Sequence, residues 1–263
     1  MDARPIAVVV DDSKPFLMYL SILLNRMNLE VLSVDNASEA LEIVRVTRPQ
    51  LLTMDMTMPE MDGLEVLRII RADKELADLP VIMISSFQDK NRQWEALSLG
   101  CIDVLEKPVE LRRLHKAIQR CDLHAGGPRR YLRASFEKTI VLHHQGKLHE
   151  VASVTLSERG IFLHSREQLP KGTLVEIDLP LPSNETLHVG GSVIYSQAQH
   201  DKASLLSAGI AIKFDRLTLR NSALLSALVE ELLIGDIIST RPGRSPGLAY
   251  GLSQHLMSLL AVT

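Results

Sequence analysis

Short apolar runs and longer stretches with helical periodicity alternate along the first 120 or so residues of the chain. This alternation is typical of parallel βαβ units, in which each strand is followed by a helix that crosses back over the sheet. Most of the runs are continuously apolar, as expected for strands that helices cover on both faces. The pattern predicts a doubly wound, flavodoxin-like sheet of five parallel strands, at Ile6–Val10, Glu30–Val34, Gln50–Met54, Val81–Ile84 and Ile102–Leu105.

Local signals in this first half mark where helices and the domain itself end. Asn36 stands three residues before Glu39, a capping-box pattern that predicts the start of a helix. A last helix is predicted over Val109–Arg120, and the Gly/Pro break Asp122–Pro128 follows it. The break predicts a boundary between two domains.

The second half shows strand-like runs separated by turn clusters, followed by one helical stretch. We interpret it as a small antiparallel β-barrel with a trailing helix over Asn221–Ile234, which would bury Leu224, Leu225, Leu228 and Leu232. The barrel strands are predicted at Thr139–His143, Gly160–His164, Leu174–Ile177, Leu187–Tyr195 and Ala208–Phe214.

These patterns divide the chain into a first domain over 1–122, a linker over 123–128, a barrel domain over 129–235 and a tail over 236–263. The tail carries leucines at helical spacing, which predicts an amphipathic helix that packs on the second domain. Contact of the tail with a partner or a second copy is the alternative. The leucines are Leu248, Leu252, Leu256, Leu259 and Leu260.

Composition excludes several classes of protein. The 263-residue chain has a formal net charge of −3, whereas general nucleic-acid or anionic-membrane binders need a clear excess of Lys and Arg. Cys101 and Cys121 are too few for a disulfide framework and lack the paired spacing of zinc ligands. The N-terminal apolar run is too short for a signal peptide or a membrane span. We expect a cytoplasmic protein that does not insert into a membrane.

Polar side chains stand where the predicted strands of the first domain end. Ligands bind at this edge of an open parallel sheet, because loops and helix termini converge there. Three carboxylates held close together repel one another, so they favour a bound cation. Mg2+, with its preference for hard oxygen ligands, is the natural candidate. The residues are Asp11, Asp12, Asp55, Ser85 and Lys107 with Pro108.

A phosphoryl-transfer chemistry follows from this set. The backbone carbonyl of Thr57, two residues past Asp55, would add a metal ligand. Asp55 would attack a phosphoryl donor in line, while the metal and Lys107 stabilise charge on the transferring oxygens. Each residue alone has a structural alternative, since an acidic pair after a strand is usually a solvated turn or a helix cap. The spacing between the residues is the specific signal.

Over residues 1–122 this set resembles the receiver domain of two-component response regulators. The pairs Met58–Pro59 and Asp62–Gly63, which follow Asp55, are part of the same resemblance. The resemblance implies that Asp55 is the phospho-acceptor, Asp11 and Asp12 are metal ligands, Lys107 contacts the phosphoryl group, and the Ser85 hydroxyl swings toward it. A sensor histidine kinase or a phosphotransfer protein is the implied partner. Val104 stands where receivers commonly carry an aromatic residue, so coupling through a swinging ring is not expected.

An arginine cluster opens the second domain, at Arg129, Arg130 and Arg133. The planar guanidinium group of arginine can bind phosphate bidentately, and it can also bind the O6 and N7 acceptors of guanine. The alternative is a solvated basic linker, or salt bridges to the first domain. A predicted turn over Thr155–Gly160 adds Ser157, which could donate to a phosphate or a base, and Gly160, which permits close backbone approach.

Residues 127–235 resemble the PilZ domain, a small β-barrel that binds cyclic di-GMP through an Arg-x-x-x-Arg segment and an Asp/Asn-x-Ser-x-x-Gly turn. Arg129 and Arg133 match the first motif, while Ser157 and Gly160 match the second. Thr155 stands where the family has Asp or Asn, so a hydroxyl replaces the acceptor that would contact the guanine edge. The resemblance implies a cyclic di-GMP site, and the arginine cluster adds Arg130 to its candidate residues.

Two functions from different classes fit the sequence. The first is a signalling adaptor with two inputs, phosphorylation and cyclic di-GMP, that bias the relative placement of two domains and act on a downstream protein. The second is a barrel that binds a protein partner but no nucleotide, which the Thr155 departure favours. An enzymatic output lacks a nucleophile–base pair, and a DNA-binding output lacks a helix-turn-helix. Whether the chain forms a homodimer is left open.

Two further groups of residues receive structural interpretations. The histidines, including His143, His149 and His188, show no paired ligand spacing, so no metal site is expected among them. Trp94 and Cys101 lie in or beside the fourth helix, and core or interface packing is the expected role of both.

Overall fold

The computed structural model describes residues 4–86, 89–121, 123, 131–165, 168–182, 185–197 and 208–238. The chain forms two compact units, the second of which spans Tyr131–Gly235. The predicted tail helix at 248–260 and the linker residues 124–128 lie outside the described residues.

The first unit is a five-stranded, fully parallel sheet with the strand order β2-β1-β3-β4-β5, which confirms the predicted fold class. Its strands are β1 Ile6–Val10, β2 Glu30–Val34, β3 Leu51–Asp55, β4 Val81–Ser85 and β5 Asp103–Glu106. Its helices are α1 Lys14–Arg26, α2 Ala37–Thr47, α3 Gly63–Ala72, α4 Lys90–Ser98 and α5 Leu111–Gln119.

Burial explains why the strands were visible in the sequence. All five residues of β3 and all five of β4 are buried, as are four of the five in β1. Strands in this position can hold few polar side chains, because each unpartnered one costs free energy. The polar residues therefore collect at the strand ends.

Helix caps fix the connections between these strands and the helices. The Asn36 side chain accepts the Glu39 amide at 2.9 Å, and its Nδ2 donates to the Glu39 carboxylate at 3.2 Å. A complete capping box opens α3, where Asp62 accepts from the Leu64 amide at 2.7 Å and donates its own amide to Glu65 at 3.1 Å. This second cap holds the loop that follows β3.

The second unit is an antiparallel barrel in the order β6-β8-β7-β10-β11-β12-β9, closed by a further pairing of β8 with β9. Six strands form the ring, and β6 pairs with the edge of β8. The strands are β6 Arg133–Ser135, β7 Thr139–His144, β8 Lys147–Ser157, β9 Gly160–His164, β10 Leu174–Pro180, β11 Thr186–Gln197 and β12 Gly209–Phe214.

Two of these strands, β6 and β8, were not predicted from the sequence. The first is only three residues long, and the second mixes charged and apolar residues because much of it is exposed or half-buried. The predicted turn over Thr155–Gly160 is therefore wrong in its bounds, since Thr155 and Ser157 belong to β8.

The helix α6, Leu219–Ile238, follows the barrel and is longer than predicted. Of the four leucines expected on its buried face, Leu225 and Leu228 are buried, whereas Leu224 and Leu232 are only half-buried. Val229 and Leu233 complete the buried face. Among the described residues, no helix is long and apolar enough to cross a membrane.

Candidate functional site

The carboxylates of the first unit meet at the carboxyl edge of its parallel sheet. Asp11 follows β1 and Asp55 ends β3, and these two strands are direct neighbours. Asp11 is 1% exposed and Asp55 is 3% exposed, whereas Asp12 is exposed. One carboxylate oxygen from each of the three lies within 4.8 Å of the others. The structure thus brings together the three acids that the sequence singled out.

Lys107 lies between the two buried acids. Its Nζ is 2.7 Å from Asp11 Oδ2 and 2.9 Å from Asp55 Oδ2. The ammonium also lies 4.5 Å from the centroid of the Phe16 ring, a cation–π contact that the sequence did not reveal. The Lys107–Pro108 peptide bond is cis. Lys107 is therefore held against Asp55 by charge on one side and by an aromatic face on another.

The charges in this cluster shift one another's proton affinity. Burial, together with the neighbouring Asp55 carboxylate, raises the pKa of Asp11 from 3.8 to about 6, against the opposing effect of Lys107. Burial by itself lowers the pKa of Lys107, but the carboxylates of Asp11 and Asp55 outweigh it and raise that pKa above its ordinary value. The ammonium form of Lys107 is thus favoured.

The loop after Asp55 is held in place by backbone contacts. The Thr57 amide donates to Asp55 Oδ1 at 3.2 Å, and the Met56 amide donates to the Ile84 carbonyl at 2.7 Å. A Cβ atom at position 63 would collide with the Asp55 carbonyl oxygen, so only glycine lets α3 begin so close to the strand. Thr57 itself is exposed.

Ser85 ends β4, one residue past the partner of Asp55 in the strand register. It is 2% exposed, and its carbonyl accepts the Lys107 amide at 2.9 Å. The ends of β4 and β5 are thereby tied together beside the acids. Val104, on β5, is 8% exposed and belongs to the hydrophobic core.

The donor set fits the magnesium ion that the sequence predicted. Three carboxylates, two of them buried, offer hard oxygen ligands on a single edge. Carboxylates at this spacing repel one another, and Lys107 supplies only one positive charge for the two that it contacts. A divalent cation would offset the remainder.

Arg92, in the first turn of α4, is a residue near this site that sequence reasoning missed. Its Nη2 donates to the Met56 carbonyl at 3.0 Å and to Asp62 Oδ2 at 2.6 Å. Arg92 is 30 or more residues away from both partners in the sequence, so no local sequence pattern could have indicated these contacts.

Four of the predicted nucleotide-binding residues belong to the described part of the chain, and they lie on the paired strands β6, β8 and β9. Arg133, exposed on β6, pairs in register with Ser157 on β8. Arg129 and Arg130 lie outside the described residues. Thr155 pairs with Ser135 on one side, next to an irregularity in the β8–β9 pairing.

Ser157 and Gly160 have clear structural roles in the barrel. Ser157 Oγ donates to the Gly160 carbonyl at 3.0 Å and accepts the Arg159 amide at 3.4 Å, which closes the turn between β8 and β9. A Cβ at position 160 would collide with the Ile212 carbonyl oxygen. The predicted donation from Ser157 to a ligand would therefore require it to release Gly160. The Arg159 guanidinium lies 5.7 Å from the Tyr131 ring centroid, a pair that the sequence did not indicate.

The barrel brings two histidines to one carboxylate, a contact that sequence spacing did not predict. His143 Nε2 lies 2.8 Å from Asp178 Oδ2, and His188 Nδ1 lies 2.6 Å from Asp178 Oδ1. Burial opposes ionisation of Asp178, but hydrogen bonds from the two imidazoles lower its pKa below the ordinary value. One ring nitrogen of each histidine thus contacts the Asp178 carboxylate.

Trp94 does not pack in the core. It is 72% exposed, so core packing is wrong for it and interface packing stays a prediction, whereas Cys101 is buried as expected. The reason is the position of α4, which buries only Ala96.

Comparisons with known families cover most of the chain. A model of the response regulator receiver domain matches residues 7–119, and a model of the PilZ domain matches residues 128–231. The two matched ranges do not overlap and follow one another in the order that the sequence predicted.

Individual relatives match over the length of a receiver. The chain is 30% identical over 112 residues to the polar-differentiation response regulator DivK of Brucella anthropi, covering 43% of this chain and 91% of that protein. It is 39% identical over 113 residues to protein-glutamate methylesterase/protein-glutamine glutaminase 1 of Dechloromonas aromatica, covering 41% of this chain but only 31% of that enzyme. A solved response regulator receiver protein from Pseudomonas putida is 31% identical with a TM-score of 0.42, covering 45% of this chain and 98% of its own.

Proposed function

Because this chain belongs to the response regulators, with a receiver domain followed by a PilZ domain, we propose that it is a cytoplasmic two-component signalling protein that is switched by phosphorylation of Asp55. The observation that carries the proposal is the contact of the buried Asp55 carboxylate with the Lys107 ammonium, 2.9 Å away, inside a cluster of three acids. A sensor histidine kinase or a phosphotransfer protein would supply the phosphoryl group.

The chain's own residues would act as follows. The ionised Asp55 carboxylate attacks the phosphorus of the donor, the new O–P bond forms as the bond to the donor breaks, and the donor leaves with the electron pair. Lys107 stabilises negative charge on the transferring oxygens, since its ammonium is already positioned beside Asp55. The product is an acyl phosphate on Asp55.

Asp11, Asp12, Asp55 and the Thr57 carbonyl would hold Mg2+ in this site. When bound, the ion offsets the charge of the acids and of the phosphoryl oxygens. Asp11 is oriented for this role by the Ser13 amide, which donates to its Oδ1 at 2.9 Å. Asp55 is oriented in the same way by the Thr57 amide.

Ser85 would contact the phosphoryl group once it is in place. Its position at the end of β4, next to the strand of Asp55, supports this role. A hydroxyl that hydrogen-bonds an added phosphoryl oxygen favours the phosphorylated arrangement, because that bond forms in one state only.

The test of the receiver proposal is labelling with acetyl phosphate in the presence of Mg2+. Wild type should accumulate acid-stable but hydroxylamine-labile label, and Asp55→Asn should not. Unlabelled wild-type protein would contradict the proposal.

For the second domain we infer cyclic di-GMP binding at Arg133, together with Arg129 and Arg130, with an output through protein–protein contact rather than catalysis. The match to the PilZ family over residues 128–231 and the exposed Arg133 beside the Ser157 turn support this inference. An exposed guanidinium can bind a phosphate bidentately. Gly160 and Thr155 complete the neighbourhood of the site.

Isothermal titration with cyclic di-GMP tests the nucleotide inference. Arg133→Ala should abolish the heat of binding seen with wild type, while Arg220→Ala, which removes an exposed arginine on α6, should not. Comparable binding by Arg133→Ala would contradict the inferred site.

The second candidate is a barrel that binds a protein partner and no nucleotide. Two observations favour it: Thr155 replaces the family's acidic or amide residue, and the Ser157 hydroxyl is already bonded to the Gly160 carbonyl. Wild-type protein that gives no heat with cyclic di-GMP would support this candidate. If wild type does bind, repeating the titration with a beryllofluoride phosphate mimic measures coupling between the domains, and equal affinities would exclude coupling.

A further inference from the structure

Arg92 connects α4 to the loop that carries the proposed phosphorylation chemistry. The same nitrogen, Nη2, donates to the Met56 carbonyl at 3.0 Å and to the Asp62 carboxylate at 2.6 Å. The Arg92 side chain is 31% exposed, and that of Asp62 is 38% exposed. This is a charge-assisted contact at the edge of the domain, which is stronger than a neutral hydrogen bond.

Both partners of Arg92 lie in the segment that follows Asp55 in the chain. Met56 is the next residue in the chain, and its carbonyl also accepts the Gly63 amide at 3.2 Å. Asp62 caps α3, whose first residue, Gly63, packs against the Asp55 carbonyl. A change in the backbone around Asp55 therefore reaches Arg92 through two short routes.

The helix at the other end of this contact is lightly packed. Ala96 is the one buried side chain of α4, so the core holds this helix weakly. A polar tether accounts for a larger share of the placement of a helix when few apolar contacts fix it. Trp94, 72% exposed on the same helix, would change its surroundings if the helix moved.

A second ion pair between α3 and α4 provides a natural comparison. Arg68 contacts Glu95 with both side chains largely exposed, at 49% and 42%. This pair links the two helices but is not bonded to the β3–α3 loop by any contact among the described residues. Ion pairs between exposed side chains contribute little to the stability of a fold.

We propose that Arg92 is the positioning residue that makes the placement of α4 depend on the state of Asp55. The inference rests on the proposed phosphorylation of Asp55. A phosphoryl group adds negative charge beside the Met56–Thr57 backbone, and Arg92 is the cation that bonds this backbone to the first turn of α4. Two arrangements of the loop thus favour two placements of the helix, and Arg92 supplies the difference in contact free energy between them.

Hydrogen–deuterium exchange of the full chain, with and without Mg2+ and beryllofluoride, tests the proposal. In wild type, the phosphate mimic should change the exchange rate of α4 amides by about fivefold or more, the lower range of allosteric couplings. Arg92→Ala should reduce this change to less than about twofold, while Arg68→Ala should retain it. Arg92→Lys should restore part of the response, because an ammonium can still donate to a carbonyl and a carboxylate.

The outcomes separate this proposal from the one on which it rests. If acetyl phosphate labels neither wild type nor Arg92→Ala, phosphorylation of Asp55 is wrong. If both are labelled but α4 responds equally in both, or does not respond in wild type, the role of Arg92 is wrong. Equal loss of the response in Arg68→Ala and Arg92→Ala would also overturn it, since any link between α3 and α4 would then suffice.

Discussion

The Lys107 ammonium donates a 2.9 Å hydrogen bond to Asp55 Oδ2. The two residues are 52 positions apart in the chain, and the parallel sheet brings them together because β3 and β5 both end at the same edge. This contact places a positive charge where negative charge would develop during the proposed phosphoryl transfer to Asp55.

Lys107→Ala should slow the labelling of Asp55 by acetyl phosphate by about a hundredfold, the usual effect of removing one preorganised donor. Lys14→Ala is the matched control, because Lys14 is an 83% exposed lysine whose ion pair with Asp35 is 3.9 Å long. The initial rate of label uptake at saturating Mg2+ measures both. A Lys107→Ala variant that is labelled as fast as the Lys14→Ala variant would remove Lys107 from the mechanism.

Thr53→Val should stabilise the receiver unit by about 1 kcal/mol, because it removes a buried polar group at almost constant shape. Thr53 is fully buried in β3, and its hydroxyl has no hydrogen-bond partner within the described part of the chain. Thermal unfolding of the full chain measures the change as a shift in the midpoint of the receiver unit's transition. A lower midpoint for the variant would show that the hydroxyl is bonded.

Ser153→Ala should destabilise the barrel, the opposite of the effect that Thr53→Val should have on the receiver unit. The Ser153 hydroxyl lies 2.6 Å from the Phe136 carbonyl and 2.8 Å from the Lys138 carbonyl, and it accepts the Lys138 amide at 3.2 Å. Its loss removes the hydrogen bond to the carbonyl of the buried Phe136, and leaving a buried acceptor unsatisfied costs about 1–3 kcal/mol. The midpoint of the barrel transition should fall, and an unchanged midpoint would contradict the assigned contacts.

Gly160→Ala should destabilise the barrel by about 1–3 kcal/mol, the usual cost of overpacking. The added methyl group would collide with the Ile212 carbonyl oxygen, where β9 pairs with β12. Gly190→Ala is the control, because a Cβ there meets nothing within 4 Å. Urea unfolding compares the two variants, and equal stability would show that Gly160 serves another purpose.

The buried thiols should make the receiver unit sensitive to alkaline pH. Burial raises the pKa of Cys101 to about 11 and that of Cys121 to about 12, from an ordinary value of 9.0. Both pKa values are higher in the folded state, so the stability linked to the protonated thiols is complete below pH 9.0 and is lost as the pH rises toward 11 and 12.

A double variant, Cys101→Ala with Cys121→Ala, checks this dependence. Its melting temperature should fall less than that of wild type between pH 9 and pH 11, because the variant has no thiol to ionise on unfolding. Parallel melting curves for the two proteins across this range would refute the linkage.

Much of the receiver unit could be predicted because its strands are buried on both faces. β1 and β2 have the predicted bounds, and the remaining strands are shifted by one residue or extended by one. The meeting of Asp11, Asp55 and Lys107 followed from the rule that parallel strands end at one edge. The Arg92–Asp62 contact could not be predicted in this way, since it joins two helix starts 30 residues apart.

The barrel was less predictable for a physical reason. Its strands are half-exposed, so polar residues interrupt them, and β8 was missed while its last residues were assigned to a turn. As a result, the Ser157 hydroxyl was expected to face a ligand, but it closes the turn with the Gly160 carbonyl. The motif indicated residues that do lie together in the barrel, but it did not indicate the hydrogen bonds between them.

The most direct measurement of the central claim locates the phosphoryl group itself. Treating the chain with acetyl phosphate and Mg2+, and then with borohydride, reduces an aspartyl phosphate to homoserine, which peptide mass spectrometry assigns to a position. We predict homoserine at Asp55 alone, and none in the Asp55→Asn variant. Homoserine at Asp11 or Asp12 in its place, or at no position, would contradict the account.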